Sequence, residues 1–186
     1  MPRAAVFLDR DGTVNLDTGY VRRLPNVALV RGAGQAIARL NAAGVPVVII
    51  TNQSGIGRGL LSMEEYERIR ARIDELLAAD GAHVDATYHC PHDPTTGRHA
   101  CACRKPGTAL FRQAAVALDL SLERSWYVGD RWRDVSPALE FGGEGLLVPG
   151  SGTPDDELRR ARERLRVLPT LGDVVDAVLA SLTAAP

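Results

Sequence analysis

The sequence predicts an α/β domain built on a mostly parallel sheet with helices on both faces. Short apolar runs of strand length alternate with amphipathic stretches of helical period over the first 150 residues. One of those runs, Val45–Ile50, is apolar throughout, as expected of a strand buried on both faces. The size and composition, 186 residues with 45% hydrophobic and 24% charged, suit one compact globular domain.

The elements follow in order. A strand over Ala4–Leu8 runs into Asp9, and a helix over Gly32–Ala43 leads to the strand Val45–Ile50. Ser62–Ala79 reads as a helix, with Ser62 and Glu65 spaced as a capping box. Val84–His89 and Trp126–Val128 read as strands flanking a helix over Thr108–Leu118, and Arg133–Phe141 reads as a helix before the strand Gly145–Val148. After the Pro- and Gly-rich linker 149–154, the charged stretch Asp155–Arg166 is acidic first and basic last, which suits the helix dipole. An apolar helix over Leu171–Leu182 is expected to pack back on the sheet. The reading is a single domain over 1–186, with its core at about 4–150 and terminal helices at 155–183.

Several classes are excluded. No apolar run approaches the roughly 20 residues that span a bilayer. The N-terminus turns acidic at Asp9 without the apolar stretch of a secretory signal, so the chain reads as cytoplasmic. A net charge of −1 provides no overall field for nucleic acid or anionic membrane. No long amphipathic seam argues for a dimer, and the expected state is a monomer. Of 22 basic residues only Lys105 is lysine, and its Arg-Lys-Pro setting matches neither a P-loop nor a kinase.

The chemistry gathers at strand ends. The first strand ends in Asp9-Arg10-Asp11-Gly12-Thr13, and carboxylates two apart on an extended segment are expected to point the same way, past the sheet edge where open α/β sheets bind ligands. Such a pair suits a hard cation such as Mg²⁺. The second strand ends in Thr51-Asn52-Gln53-Ser54, whose hydroxyls, amides and backbone N–H groups can hold phosphoryl oxygens. The glycines at 55, 57 and 59 fail the dinucleotide spacing, so Ser54–Leu60 is read as a flexible loop flanking the substrate. The fourth strand ends in Gly129-Asp130, with Asp130 the candidate to complete the metal site and Asp134 one turn on. Arg104 and Lys105 bring positive charge on a proline-anchored corner.

Cys90, His92, Cys101 and Cys103 form a Cys-x-His…Cys-x-Cys set in one loop. Three thiolates and an imidazole make a closed zinc site of the structural kind, able to fix that loop and deliver Arg104 and Lys105 to the pocket.

Asp9-x-Asp11-Gly12-Thr13, then Thr51, Lys105 and Gly129-Asp130-x-x-x-Asp134 resemble the haloacid dehalogenase superfamily of phosphotransferases over roughly residues 4–150. The resemblance implies a Rossmann-like sheet, Asp9 as nucleophile, Asp11 as acid and base, and Mg²⁺ held by Asp9, Asp11 and Asp130. It further implies that Thr51 and Lys105 steady the transferring group, and Arg104 beside Lys105 is counted with them as a catalytic candidate. About 35 residues separate Asp9 from the second strand and about 54 separate Thr51 from Lys105, which leaves no room for a cap domain. With the cysteine loop, and with Gly19-Tyr20-Val21 and Cys103-Arg104-Lys105-Pro106, the chain looks like the D-glycero-D-manno-heptose 1,7-bisphosphate 7-phosphatase family. That likeness implies a small phosphorylated sugar as substrate, with Arg10, Asp17, Tyr20, Asn52, Gln53, Ser54, Arg104 and Arg131 as contacts. Its cysteine loop is shorter than that family's, and Arg131 stands where lysine is common. Both features leave the related histidinol-phosphate phosphatase as the alternative substrate reading. A third reading, from another class, is a catalytically silent zinc-stabilised module using the arginines at 159–166.

Overall fold

The structure is a computed structural model, and it describes residues 1–17, 19, 24–95 and 101–184. Six strands, β1 (Val6–Leu8), β2 (Val47–Asn52), β3 (Ala86–Cys90), β4 (Trp126–Gly129), β5 (Glu144–Leu147) and β6 (Arg166–Val167), form one parallel sheet ordered β3-β2-β1-β4-β5-β6. Chain order reverses between β1 and β4, which opens a crevice at the carboxyl edge there. Leu8 lies opposite Ile49 on one side and Val128 on the other, so Asp9, Thr51 and Asp130 emerge side by side.

Helices cover both faces because β1 sends alternate side chains to each. Val6 and Leu8 join Ile49 and Val128 against α1 (Ala33–Ala42), α3 (Met63–Ala79) and α8 (Leu171–Ala184). Phe7 points the other way, into Tyr127, Phe111 of α4 (Ala109–Leu118) and Phe141 beyond it. Each fully buried Leu, Ile or Phe here contributes about 1.5–3 kcal/mol, so the strand bearing Asp9 is anchored from both sides. The Ser62–Glu65 capping box forms as spaced, with Ser62 N–H donating to Glu65 Oε2 at 2.7 Å and Glu65 N–H to Ser62 Oγ at 3.1 Å.

Three stretches depart from expectation. Ser54–Leu60 is no plain loop: Ser54–Gly57 forms a helical turn, α2, and Gly57 N–H donates to the Pro91 carbonyl at 2.8 Å. A Cβ at Gly57 would sit 2.6 Å from that oxygen, so glycine allows the close approach. The helix expected over Arg133–Phe141 is two, α5 (Trp132–Val135) and α6 (Pro137–Phe141), because Pro137 has no N–H to continue the first. The charged stretch is helical only over Asp155–Arg164, as α7, and Arg166 belongs to β6. Among the described residues no helix is long and apolar enough to cross a membrane.

Candidate active site

The crevice holds a cavity of about 270 Å³, lined among others by Asp9, Thr51, Arg104, Asp130, Arg131 and Arg133. Under it lies a buried ionic cluster. The Lys105 ammonium, its side chain 1% exposed, donates to Asp9 Oδ1 at 2.6 Å and to the Ile50 carbonyl at 2.5 Å, and meets Asp134 Oδ1 at 2.8 Å. Carboxylate oxygens of Asp9, Asp130 and Asp134 all come within 4.8 Å of one another. Burial, and after it the Asp134 carboxylate, push the Asp9 carboxyl up to about 7 against the pull of Lys105. Burial and Asp134 likewise push Asp130 up to about 6. Burial works against the Lys105 ammonium, but Asp134 and Asp9 outweigh it and hold its pKa above the usual lysine value.

The cluster sets three carboxylates around the Lys105 ammonium, with Arg133 Nε 3.7 Å from Asp134 Oδ1, and Asp130 Oδ1 is buried with no hydrogen-bond partner. Hard oxygens so arranged fit Mg²⁺. Gly12 brings the first loop down onto Asp130: its φ is +90°, and a Cβ there would lie 2.6 Å from Asp130 Oδ2.

Asp11 is where the geometry differs from the strand-based expectation. Its carboxylate lies outside the group formed by Asp9, Asp130 and Asp134, though its charge still helps to raise the Asp9 carboxyl. It accepts from Arg10 Nε and Nη2 at 3.1 and 2.9–3.0 Å, from Asn15 Nδ2 at 3.1 Å and from Gln53 Nε2 at 2.7 Å. The reason is that β1 ends at Leu8 and the chain turns through Gly12, so the two-residue alternation of a strand has lapsed by position 11. The carboxylate cluster instead includes Asp134, which lies one helical turn past Asp130, and Asp134 Oδ2 also accepts the Arg131 N–H at 3.2 Å. Asp134 carried a sequence signal, its four-residue spacing from Asp130, but spacing gives no sign that it faces Lys105.

The contact candidates separate into groups. Asp17, Asn52, Gln53, Ser54 and Arg131 all border the cavity. Arg10 does too, but it is 5% exposed, paired to Asp11 and placed 5.5 Å over the Tyr66 ring. Arg131 is oriented by Glu157, which accepts from its Nε and Nη2 at 3.1 and 2.9 Å. Arg104 Nη1 is buried without a partner, a donor with no acceptor yet. Thr51 Oγ1 accepts from Gln53 Nε2 at 2.9 Å, which leaves its own proton to donate elsewhere. Arg133 also borders the cavity and was not singled out by sequence. Tyr20 lies outside the described residues.

Cys90, His92, Cys101 and Cys103 converge as spaced, their ligand atoms within 4.8 Å of one another. His92 Nδ1 is 3.5 Å from Cys90 Sγ and 3.2 Å from Cys103 Sγ, and Cys90 Sγ is 3.5 Å from Cys101 Sγ. Burial pushes the Cys103 thiol up to about 12. It also raises Cys101, but hydrogen bonds from Cys103, Cys90, the Arg104 backbone and His92 outweigh that and bring it down to about 7. Such a donor set fits Zn²⁺.

A buried strand-end aspartate, a lysine beneath it and an acidic cation site on a sheet of this order define a phosphohydrolase of the haloacid dehalogenase type. The comparisons agree. Residues 102–174 match a family model described as HAD-hydrolase-like, and residues 28–135 match one described as polynucleotide kinase 3 phosphatase. The D-glycero-D-manno-heptose-1,7-bisphosphate 7-phosphatase of Thermosynechococcus vestitus is 43% identical over 156 residues, 80% of each chain. The D-glycero-beta-D-manno-heptose-1,7-bisphosphate 7-phosphatase of Escherichia coli O6:H1 is 34% identical over 179 residues, 94% of this chain and 93% of that one. The crystal structure of D,D-heptose 1,7-bisphosphate phosphatase from B. bronchiseptica, complexed with magnesium and phosphate, superposes with a TM-score of 0.85 at 36% identity, covering 96% of this chain and 99% of that one. The chain belongs to the heptose 1,7-bisphosphate 7-phosphatase family.

Proposed function

We propose that this phosphatase removes the 7-phosphate of D-glycero-D-manno-heptose 1,7-bisphosphate, as a cytoplasmic monomer with Mg²⁺ at Asp9 and Asp130 and Zn²⁺ on the Cys90–Cys103 loop. The observation that carries the reading is the Asp9 carboxylate, fixed at the chain reversal beneath an arginine-lined cavity and held by a buried lysine. A carboxylate oxygen of Asp9 attacks phosphorus, the bond from phosphorus to the C7 oxygen breaks, and an aspartyl-phosphate forms. Asp11, in the acid form, gives its proton to the departing oxygen. As the carboxylate it then takes a proton from the water that attacks the aspartyl-phosphate, which frees Asp9. Thr51, Lys105 and the unpartnered Nη1 of Arg104 donate to the phosphoryl oxygens. Bound Mg²⁺ would neutralise charge on the transferring group. Release of Asp11 from Arg10, Asn15 and Gln53 accompanies substrate binding. The cysteine cluster fixes the segment that leads into Arg104 and Lys105.

The test is phosphate release with Mg²⁺ from the heptose bisphosphate and from histidinol phosphate in parallel, with Asp9→Asn as blank. A kcat/KM preference for the heptose above about 100-fold, nearly 3 kcal/mol of differential transition-state binding, supports the reading. The reverse preference would move the enzyme to histidinol phosphate with the same residues in the same roles.

A further inference from the structure

We propose that Asn52 is a positioning residue for Lys105 and not a substrate contact. The proposal rests on the phosphohydrolase reading of the site and adds a part to its machinery. Asn52 is the last residue of β2, and its amide reaches across 53 residues of sequence to the backbone of Lys105. Its Oδ1 accepts the Lys105 N–H at 3.0 Å and its Nδ2 donates to the Lys105 carbonyl at 3.2 Å. Only this orientation of the amide works, since the flipped one would set donor against donor and acceptor against acceptor.

Lys105 needs such a clamp. It lies in a turn between Cys103 and α4, where no strand or helix pairs its backbone. The turn closes around it, with Gly107 N–H donating to the Arg104 carbonyl at 2.7 Å and Ala109 N–H to the Ala102 carbonyl at 3.1 Å. Lys105's own backbone N–H and carbonyl both go to Asn52. The far end of the residue returns to the same strand, where the ammonium donates to the Ile50 carbonyl. β2 therefore grips Lys105 at backbone and at head, and the clamp fixes where the ammonium meets Asp9 and Asp134. Asn52 in turn is set by β3, opposite Cys90 in the parallel register, with Gln53 N–H donating to the Cys90 carbonyl at 2.7 Å.

Asn52 borders the cavity, so geometry alone would allow it to touch substrate. The two roles separate by experiment, helped by the sequence, because Lys105 is the chain's single lysine. Protein labelled with ¹³C and ¹⁵N in lysine therefore gives one side-chain signal, that of Lys105. The test uses the zinc- and magnesium-loaded full chain with Asn52→Ala and the isosteric Asn52→Asp, which keeps the acceptor and loses the donor. If Asn52 positions Lys105, Asn52→Ala lowers kcat by about 30-fold, as two lost hydrogen bonds would, while KM changes less than about 3-fold. The loss is equal for the heptose bisphosphate and for p-nitrophenyl phosphate, which lacks the sugar. The Lys105 signal shifts or broadens in Asn52→Ala, and Asn52→Asp lies between it and the parent in both readouts. A raised KM confined to the heptose bisphosphate, or an unmoved Lys105 signal in the folded variants, would overturn the proposal. Failure of the substrate reading alone would leave p-nitrophenyl phosphate turnover and the Lys105 signal to decide the clamp.

Discussion

Replacing Lys105 by methionine removes the fully buried cation from a cluster that holds three carboxylates, and leaves Asp134 only the longer 3.7 Å pairing with Arg133 Nε. The Lys105 side chain is 1% exposed, as is that of Asp134, and that of Asp9 is 6% exposed, so screening by solvent is slight. Removing one partner of a buried ion pair costs about 3–5 kcal/mol. For a chain of this length each kcal/mol lowers the melting temperature by about 2–4 °C, so Lys105→Met melts about 6–20 °C lower in magnesium-free buffer. The cost depends on pH with a definite sign. Burial and Asp134 raise the folded carboxyl of Asp9 to about 7, above its unfolded value of 3.8, so the folded state holds protons that the unfolded state has lost. Stability from a raised carboxyl is fully present below the unfolded value and declines as pH rises through the folded one. Lys105 opposes that rise, and without it the folded carboxyls move higher still. The variant therefore loses less at pH 5.5 than at pH 8, and Mg²⁺ restores more of the loss at pH 8. Calorimetric melts of both proteins at the two pH values, with and without Mg²⁺, measure this. A melting temperature within about 2 °C of the parent's at pH 8 without Mg²⁺ would refute the electrostatic reasoning.

Other substitutions probe the remaining parts. Asp9→Asn abolishes turnover, by at least about 10⁴-fold in kcat, yet melts no lower than the parent at pH 8 without Mg²⁺, because the amide mimics the protonated carboxyl. Retained turnover would remove Asp9 as nucleophile. Gly12→Ala sets a Cβ 2.6 Å from Asp130 Oδ2 at a φ of +90°. The expected result is a folded protein with weakened Mg²⁺ affinity and a kcat lower by about 10²-fold, measured by titration of activity with Mg²⁺. Cys103→Ser loses zinc, read by atomic absorption, and melts at least about 10 °C lower, since a structural metal contributes its binding energy to the fold. Full zinc content in that variant would refute the four-ligand site.

What the sequence made legible was set by short-range chemistry. Asp9, Thr51 and Asp130 sit where they were read because apolar runs ended at them, and parallel strands bring such ends to one edge. The cysteine cluster was equally plain, since its spacing confines four ligands to one loop. The partners of Asp11 are not legible in the sequence, because the alternation that orients a strand side chain stops where the strand does, and residues far along the chain, such as Gln53, then decide. The place of Asn52 was hidden for the same reason, as its partner is 53 residues away. Pro137 was a local signal for the break between α5 and α6, masked by the apolar period running through it.

In the proposed reaction one phosphate, at one end of the sugar, is removed. Phosphorus NMR of D-glycero-D-manno-heptose 1,7-bisphosphate incubated with the enzyme and Mg²⁺ tests it most directly. The C7 phosphomonoester signal is expected to vanish into inorganic phosphate while the anomeric phosphate signal persists. Loss of the anomeric phosphate first, or a bisphosphate left intact by an enzyme that hydrolyses p-nitrophenyl phosphate, would contradict it.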